Sequence, residues 1–435
     1  MLSLYWNTWR RLRATLAAVA LVASTILSGA SFARADAVVD WNDITAQAYA
    51  TSLTAGRPRL LGFIDFAMVH AAVHDAVQAI DKRFKPYHMV IPGASGSPIA
   101  AAIKAAHDVL LNLFPTQAAF LDMAYHDSLT KYSLAKTDPG VIVGQQAAAG
   151  ILALRANDGR LPPNPPPFTG GTAPGVWRPT VSYLPGPPPT LSPGGAPWLA
   201  TVTPFTLRAP TQFRAAPPHK LSSKRYAEEY NEVKALGALQ KSTRSAAQTD
   251  IAYFYADNTF LLWNRGLRSI ATTKVTNIGD SARLFALANL AAADAVITAW
   301  DSKYHYVFWR PVTAIQEGAN DGNARTAGDP TWQPLINTPN YPDHTSGANI
   351  SAAAMTRTLA LFFGTDAMTL SLTSNNPPVV QKTRTYSHFS DATEDVVNAR
   401  IYSGIHFRKP DVDGRKQGRR VAEWAFKHVL RPIKR

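Results

Sequence analysis

Two cations separated by seven residues begin a segment that could bind an anion. Lys303 and Arg310 are close to two helical turns apart, so the spacing predicts that both side chains project from nearly the same helix face. Pro311 disfavours helix at the residue before it, which predicts that Arg310 lies at a helix end or a loop mouth. Two cations on one face repel each other unless an anion lies between them. A solvated basic face is the alternative interpretation of this segment.

A turn of small and polar residues precedes the apolar run 350–363. It reads YPDHTSGA from Tyr341 to Ala348. Ser346 is a good helix N-cap, and Gly347 allows another group to approach the backbone closely. Because free amides at the start of a helix bind anions, this turn predicts an anion site. An ordinary capped helix would use the same residues.

Arg400 and His406 form the third candidate segment. Six residues do not share a helical face, but Gly404 can end the helix and turn the chain so that His406 points back towards Arg400. A guanidinium group offers forked donors that match tetrahedral oxyanions and keeps its charge. A neutral imidazole can act as a ligand or a nucleophile. A structural role for this single histidine is the alternative.

In this order, the three segments resemble the vanadium-dependent haloperoxidases and the related type-2 phosphatidic acid phosphatases, which share one helical fold. The pattern is K-x6-R-P, then P-x3-S-G, then R-x5-H. The similarity extends upstream through residues 69–77 and 300–303, so it covers most of the chain after the first 35 residues.

The resemblance implies a cage for vanadate, or for phosphate as a substrate. The cations that would bind its equatorial oxygens are Lys303, Arg310 and Arg400. Ser346 and the Gly347 amide would add hydrogen bonds. His406 would supply the nitrogen that bonds to vanadium or attacks phosphorus. Fixed cations would also stabilise anionic charge that develops in the transition state.

One position departs from the family pattern. The family turn usually reads S-G-H, and that histidine handles a proton at the apical oxygen, whereas this chain has Ala348. Alanine cannot move a proton, so activity is expected to fall by roughly the 10²–10⁴-fold that general acid–base catalysis contributes. His344 is a candidate substitute, although it could simply pack in the turn. Tyr341 lies where relatives vary the residue near the halide. Asp250 is predicted to brace Arg400.

Four functions are consistent with these residues. The leading one is a haloperoxidase-like oxidoreductase in which vanadate activates hydrogen peroxide for the oxidation of halide. The alternative enzyme is an exported acid phosphatase with His406 as phosphoryl acceptor. A third hypothesis is an oxyanion-binding protein whose catalysis is reduced by Ala348. A fourth is a divalent-metal enzyme built on His70 and His74, which are four residues apart with Asp75 beside them. Similarity in the N-terminal half and the Pro-rich segment favours the first.

Residues 1–35 are predicted to be a signal peptide. Arginines at positions 10, 11 and 13 precede the apolar run 14–27, and an Ala-Arg-Ala cleavage pattern ends at Ala35. The run is shorter than the roughly 20 residues that a spanning helix needs, although a retained anchor is the alternative. We therefore expect a periplasmic or secreted protein. No later stretch is expected to be long and apolar enough to span a bilayer.

Composition limits the partners of the mature chain. The net charge is +14, and four arginines lie in residues 1–35, so the remainder carries +10. Excess positive charge suits an anionic ligand, while the lack of a basic tract with interleaved aromatics argues against nucleic acid. There is no cysteine, which excludes disulfides, thiolate metal sites and cysteine nucleophiles. An apolar fraction of 46% is typical of an ordinary globular protein.

Helical periodicity covers most of the chain that must position these residues, and strand alternation is hard to find. Helices are predicted over residues 59–81, 97–114, 141–157, 246–257, 280–303, 346–363, 391–403 and 414–430, with further helices starting near 116 and 222.

A Pro-rich stretch divides the helical pattern. Residues 161–218 hold 17 of the 32 prolines, which predicts a long irregular connection. Four large aromatic side chains predict that it packs on the body of the protein, namely Trp177, Trp198, Phe205 and Phe213. We therefore predict an all-α helical bundle fold. Its parts are an N-terminal half over 36–160, the connection over 161–218, and a C-terminal half over 219–435 that carries the oxyanion site.

Overall fold

A computed structural model describes residues 36–181 and 193–433. In these ranges nearly all of the regular secondary structure is helical, which confirms the predicted all-α class. The helices are α1 (Ala37–Thr54), α2 (Leu61–Asp81), α3 (Pro98–Leu113), α4 (Ala118–Lys131), α5 (Pro139–Leu154), α6 (Lys224–Leu236), α7 (Ala246–Phe254), α8 (Thr259–Lys274), α9 (Ile278–Tyr306), α10 (Pro311–Gln316), α11 (Gly347–Phe363), α12 (Phe389–Tyr402) and α13 (Arg408–His428). One antiparallel hairpin joins β1 (Leu370–Thr373) to β2 (Thr383–Tyr386). The predicted signal peptide lies outside the described residues.

Helix α9 is the central element of the fold. Asn277 caps it by accepting from the amides of Gly279 and Asp280. The helix packs against α2, α11 and α13. By length and composition it could cross a bilayer, so the expectation that no later stretch could do so was wrong. Its apolar window is nevertheless entirely buried inside the protein, as in the core helix of a globular fold.

Helices α11 and α13 approach each other closely through two glycines. A Cβ atom at Gly418 would lie 2.1 Å from the carbonyl oxygen of Ile350, and one at Gly414 would lie 2.8 Å from that of Ser346. Only glycine permits this separation. The crossing brings the start of α13 beside the start of α11, where the Ser346 amide donates to the carbonyl of Pro410 at 3.0 Å.

The described part of the Pro-rich connection is anchored to α9. The Asp294 carboxylate accepts hydrogen bonds from the amides of Phe205, Thr206 and Leu207 at 2.6–3.1 Å. Further along α9, Asp301 makes a two-point ion pair with Arg214, with both N···O distances at 2.7 Å. Trp177 is fully buried. The described part of the connection therefore contributes to the core, although its helices there are short.

One large apolar core contains residues of both predicted halves, from α1 to α5, from α7 to α9 and from α11 to α13. A smaller cluster around Tyr230, Trp309 and Phe407 packs beneath α6 and α10. This smaller cluster lies directly behind the segment that carries Arg310. The rigid surroundings of the candidate site are therefore built from elements far apart in the sequence.

The predicted helices agree with the structure except near some ends and in a few omissions. The helix predicted from residue 414 begins at Arg408, and the one predicted to reach residue 257 ends at Phe254. The spacing did not reveal α1, α8 or α10. The hairpin was also missed, because strands of four residues are too short for an alternating pattern to stand out.

Candidate oxyanion site

Five chain segments meet at one buried point between α9, α11, α12 and α13. Lys303 lies in the last turn of α9, and Arg310 directly precedes α10. Arg400 lies in the last turn of α12, and His406 follows it in the loop before α13. The turn of residues 341–346, which leads into α11, completes the site. All four predicted basic side chains are buried there.

Lys303 and Arg310 come together, but not on one helix face as predicted. Helix α9 ends at Tyr306, and Val307 adopts a left-handed conformation with φ of 49°. The chain then runs extended through Arg310, which Pro311 keeps out of the helix. The prediction that Arg310 lies at a helix end is therefore confirmed.

Lys303 is held by the backbone of the turn before α11. Its Nζ donates to the carbonyl oxygens of Pro342 at 2.7 Å and Asp343 at 3.0 Å. An ammonium group has three donors, so one remains for a ligand. Burial lowers the pKa of Lys303 well below its usual value, and the charge of Arg310 lowers it further. An anion beside Lys303 would favour its charged form.

The guanidinium group of Arg310 is held by two backbone carbonyls and two side chains. Nε donates to the carbonyl of Tyr341 at 2.8 Å, and Nη1 donates to that of Ile405 at 2.7 Å. Nη1 also lies 3.1 Å from Nε2 of His406 and 3.4 Å from Oδ1 of Asp343. Nη2 is buried and has no hydrogen-bond partner. The guanidinium is therefore positioned by the protein, and both N–H groups of Nη2 remain as donors.

His406 is oriented by Asp343, a residue to which the sequence analysis gave no role. Nδ1 of His406 contacts Oδ1 of Asp343, and both side chains are buried. Nη1 of Arg310 lies 3.4 Å from Nδ1 and 3.1 Å from Nε2, so the tautomer follows from Asp343: Nδ1 carries the proton and donates a hydrogen bond to the carboxylate, and Nε2 is the acceptor. Burial, and then the charge of Arg310, lower the pKa of His406 well below its usual value. Burial raises the pKa of Asp343 to about 7, although Arg310 and Lys303 oppose that shift. The result is a neutral imidazole whose Nε2 presents a lone pair.

Arg400 is not braced by Asp250, so that prediction was wrong. Asp250 instead pairs with Arg384 of the hairpin at 2.7 Å and accepts from the amide of Val380 at 2.6 Å. Nη1 of Arg400 donates to the carbonyl of Tyr255 at 3.0 Å, while its buried Nε has no hydrogen-bond partner. A backbone carbonyl therefore replaces the expected carboxylate, and Arg400 keeps a donor for a ligand.

Ser346 is the N-cap residue of α11, as predicted, but its side chain makes no capping hydrogen bond. Its Oγ accepts from Nδ2 of Asn349 at 3.2 Å. Asn349 also donates to Asp411 at 2.8 Å. Gly347 packs close to the ring of Trp300, which a Cβ atom would approach to 3.1 Å. The first amides of α11 have no acceptor within the helix and face this region as donors.

His344 lies in the same turn but is held elsewhere. Its Nε2 is 2.8 Å from the carbonyl of Ala216, and its ring packs edge-on to Tyr306. Burial lowers the pKa of His344 to about 4. Ala348 is partly buried at the start of α11. The structure therefore gives His344 a packing contact with the Pro-rich connection, and records no contact between its ring and the four basic side chains.

We call the group formed by Lys303, Arg310, Arg400, His406, Ser346 and Gly347 the cage. Its residues fit a tetrahedral oxyanion for two reasons. Among the described residues, the carboxyl groups whose charge acts on these three buried cations are Asp343 and Asp411, and a buried charge without a partner is costly. In addition, Arg310 Nη2 and Arg400 Nε are buried donors without partners. An oxyanion would satisfy both.

A cavity of about 680 Å³ leads to the cage. Tyr341 and Arg400 belong to its lining, as do the aromatic rings of Phe63 and Phe260. The Tyr341 ring lies 5.0 Å from both Lys303 Nζ and Arg310 Cζ. A volume of this size is typical of small-molecule sites and far exceeds that of a halide ion. Ligands can therefore reach the cage from this side.

The alternative metal site on α2 is not supported by the structure. Nε2 of His70 is 2.8 Å from Nδ2 of Asn42, whereas Nε2 of His74 is 3.1 Å from the carbonyl of Lys85. Asp75 instead accepts three backbone amides, those of residues 87–89. Within residues 36–181 and 193–433, no group of three or more His, Cys, Asp or Glu residues could hold a metal ion. His74 and Asp75 therefore stabilise the loop after α2, and His70 joins α2 to α1.

Comparison with known proteins agrees with this geometry. Residues 283–435 match the family model of the VCPO second helical-bundle domain. Over 168 residues the chain is 31% identical to vanadium chloroperoxidase of Curvularia inaequalis, a match that covers 31% of this chain and 27% of that protein.

Solved structures extend the similarity to most of the fold. A bacterial vanadium-dependent iodoperoxidase superposes with a TM-score of 0.75 at 22% identity, over 91% of this chain and 98% of the other. A bacterial vanadium-dependent chloroperoxidase in its holo form gives a TM-score of 0.70 at 18% identity, over 85% and 91% of the two chains. This chain therefore has the helical-bundle fold of these solved structures, and its residues 283–435 are similar to the second helical-bundle domain of the family model.

Proposed function

We propose that the protein is a haloperoxidase-like oxidoreductase that binds vanadate in the cage and uses hydrogen peroxide to oxidise halide. The observation that carries this proposal is the position of His406 Nε2. It presents a lone pair among three buried cations, and Asp343 holds the opposite nitrogen of the same ring. Bound vanadate would supply a Lewis acid that activates hydrogen peroxide.

The residues of the cage would divide the work of binding. His406 would donate its Nε2 lone pair to vanadium. Backbone carbonyls already hold Lys303, Arg310 and Arg400 in place, and their remaining donors would neutralise the charge of the oxyanion. The Gly347 amide would add a donor at the start of α11. Tyr341 would separate the cage from the wider cavity, through which peroxide and halide would arrive.

The iodoperoxidase and chloroperoxidase structures support vanadate as the ligand, because both proteins are described as vanadium-dependent. Bromide and iodide oxidation, measured with and without added orthovanadate, tests the proposal. We expect turnover only when vanadate and hydrogen peroxide are both present. Turnover of p-nitrophenyl phosphate without any halide oxidation would contradict it.

An acid phosphatase that uses the same cage is the second candidate. The pairing of His406 with Asp343 favours it, because a histidine nucleophile needs its distal nitrogen held by an acceptor. In that case His406 would accept the phosphoryl group. The two candidates separate in a paired assay of bromide oxidation and p-nitrophenyl phosphate hydrolysis on one preparation.

A binding protein with reduced catalysis is the third candidate, and Ala348 supports it. Ala348→His would restore the usual proton-handling side chain, so turnover should rise if its loss limits catalysis. An unchanged rate in this variant would argue against that explanation.

Export through residues 1–35 remains our proposal, and N-terminal sequencing of the mature protein tests it.

A further inference from the structure

Ala348 leaves the cage without the side chain that usually exchanges a proton with the oxyanion. We propose that Asp411 is a carboxylic acid that donates a hydrogen bond to an oxygen of the bound oxyanion. It would thus replace the contribution of the missing histidine to binding. The inference rests on the proposed oxyanion site. It concerns a residue that the sequence motifs did not single out.

Asp411 lies in the first turn of α13 and is fully buried. Its Oδ1 accepts from Nδ2 of Asn349 at 2.8 Å, and Asn349 directly follows Ala348 in the first turn of α11. Its Oδ2 is buried and has no hydrogen-bond partner. The free oxygen therefore lies at the helix start where Ala348 replaces the family histidine.

Asp411 also lies among the charges of the cage. Its carboxylate, when ionised, favours the charged forms of Lys303, Arg310 and Arg400. Asp343, the other carboxyl group beside the cage, already has partners for both oxygens, because it contacts His406 and Arg310 and accepts from the Phe407 amide. Of the two carboxyl groups beside the cage, Asp411 is therefore the one with an oxygen that has no hydrogen-bond partner.

Protonation gives this oxygen a donor. Burial raises the pKa of Asp411 well above its usual range, and the nearby charge of Asp343 raises it further. The Ser346 hydroxyl, Arg400 and Asn349 oppose the shift. A carboxyl group donates a hydrogen bond only when it is protonated, and an ionised Asp411 would repel the oxyanion instead.

The two protonation states predict opposite effects of substitution. The test is calorimetric titration of the purified protein with inorganic vanadate and, separately, with inorganic phosphate at pH 7. Asp411→Asn keeps a donor without charge, so we expect affinity within about threefold of wild type. Asp411→Ala loses the donor, so affinity should fall about tenfold to a hundredfold. Asp413→Asn, on the same helix, should leave affinity unchanged.

Tighter binding in Asp411→Asn and in Asp411→Ala would overturn the inference, because it would identify Asp411 as an ionised, repulsive group. Unchanged affinity in Asp411→Ala would overturn it as well. If Asp411→Ala does not fold by circular dichroism, Asp411→Asn decides alone. An ionised Asp411 predicts binding at least about tenfold tighter in this variant, and the protonated group predicts almost no change.

A pH series gives an independent measurement. The ratio of wild-type to Asp411→Asn affinity cancels the titration of the free ligand, whereas Lys303 and Asp343 are electrostatically coupled to Asp411 and titrate as part of the same change. We expect this ratio to fall as rising pH ionises Asp411. A ratio that stays constant from pH 6 to 9 would show that Asp411 does not titrate while it contacts the ligand.

If wild type binds neither anion, the proposed function fails too. If wild type binds and only the Asp411 variants disagree, the inference alone fails.

Discussion

Asp343 lies directly behind His406, so that one carboxyl group holds the imidazole whose other nitrogen faces the cage. The backbone of Asp343 is itself fixed, because its amide donates to the carbonyl of Phe308 at 2.9 Å. The turn before α11 thus orients a ring that lies 63 residues further along the chain. Partners of this kind fix the tautomer and the orientation of a ligating histidine, and their loss typically costs about 10–100-fold in metal affinity.

Replacement of Asp343 by Asn should weaken the site without removing a ligand. The amide can donate to Nδ1 and stabilise the wrong tautomer, so we expect vanadate affinity to fall about 10–100-fold. Titration calorimetry measures the change. Asp250→Asn is the control, because Asp250 pairs with Arg384 and should leave affinity unaltered. Equal affinities in Asp343→Asn and wild type would show that the pairing does not orient the ring.

Oxyanions should stabilise the fold, because they neutralise three buried cations. At a ligand concentration 100 times Kd, the free energy of unfolding should rise by about 2.7 kcal/mol. Arg400→Lys keeps the charge but loses the forked donors, so its gain at the same concentration should be smaller. Thermal melts with and without orthovanadate measure both. Arg408→Lys, which alters a pairing with Glu232 outside the cage, should respond like wild type.

Asp75 should make the folded state less stable as pH rises. An ordinary ion-paired carboxylate has the opposite effect. Burial raises its folded-state pKa to about 6, although three backbone amides oppose the shift. Its unfolded value is near 3.9, so the folded protein holds the extra proton between these values. The stabilisation that Asp75 contributes to the folded state is therefore fully present below about pH 4 and is lost as pH rises through 6. Relative to Asp75→Asn, wild type should lose about 2 kcal/mol between pH 4.5 and 7. Urea unfolding of both proteins at the two pH values tests this, and a constant difference would contradict it.

The close crossing of α11 and α13 should tolerate no side chain at Gly418. A Cβ atom there would lie 2.1 Å from a carbonyl oxygen, so the helices must separate. We expect Gly418→Ala to lower the free energy of unfolding by about 1–3 kcal/mol. The neighbouring exposed Arg419, changed to Ala, should alter it by less than about 0.5 kcal/mol. Similar values for the two variants, measured by denaturant unfolding, would mean that the crossing is not tightly constrained.

The sequence patterns predicted most residues of the cage but not the residues that hold them in place. Lys303, Arg310, Arg400 and His406 stand at spacings that resemble a family, so their convergence could be expected before the fold was known. Their geometry could not be expected, because Lys303 and Arg310 meet through a left-handed residue rather than a shared helix face. Local periodicity contains no information about such a break.

The acidic residues show where sequence reasoning fails. Asp250 was predicted to brace Arg400 from its place at a helix start, yet it pairs with a hairpin that the periodicity did not reveal. Asp343 and Asp411 were overlooked, although each stands near a cage residue in the sequence. The signal that could have found them is electrostatic, since three buried cations require acidic neighbours. Which carboxyl group supplies that charge depends on how distant helices pack.

Binding of orthovanadate to wild type and to His406→Ala, measured by titration calorimetry beside inorganic phosphate, tests the central claim most directly. We predict that wild type binds vanadate and that His406→Ala loses at least about tenfold of that affinity, because its nitrogen ligand is gone. Phosphate affinity should change far less, since the three cations remain. Equal vanadate affinity in the two proteins, or no binding by wild type, would contradict a cage centred on His406.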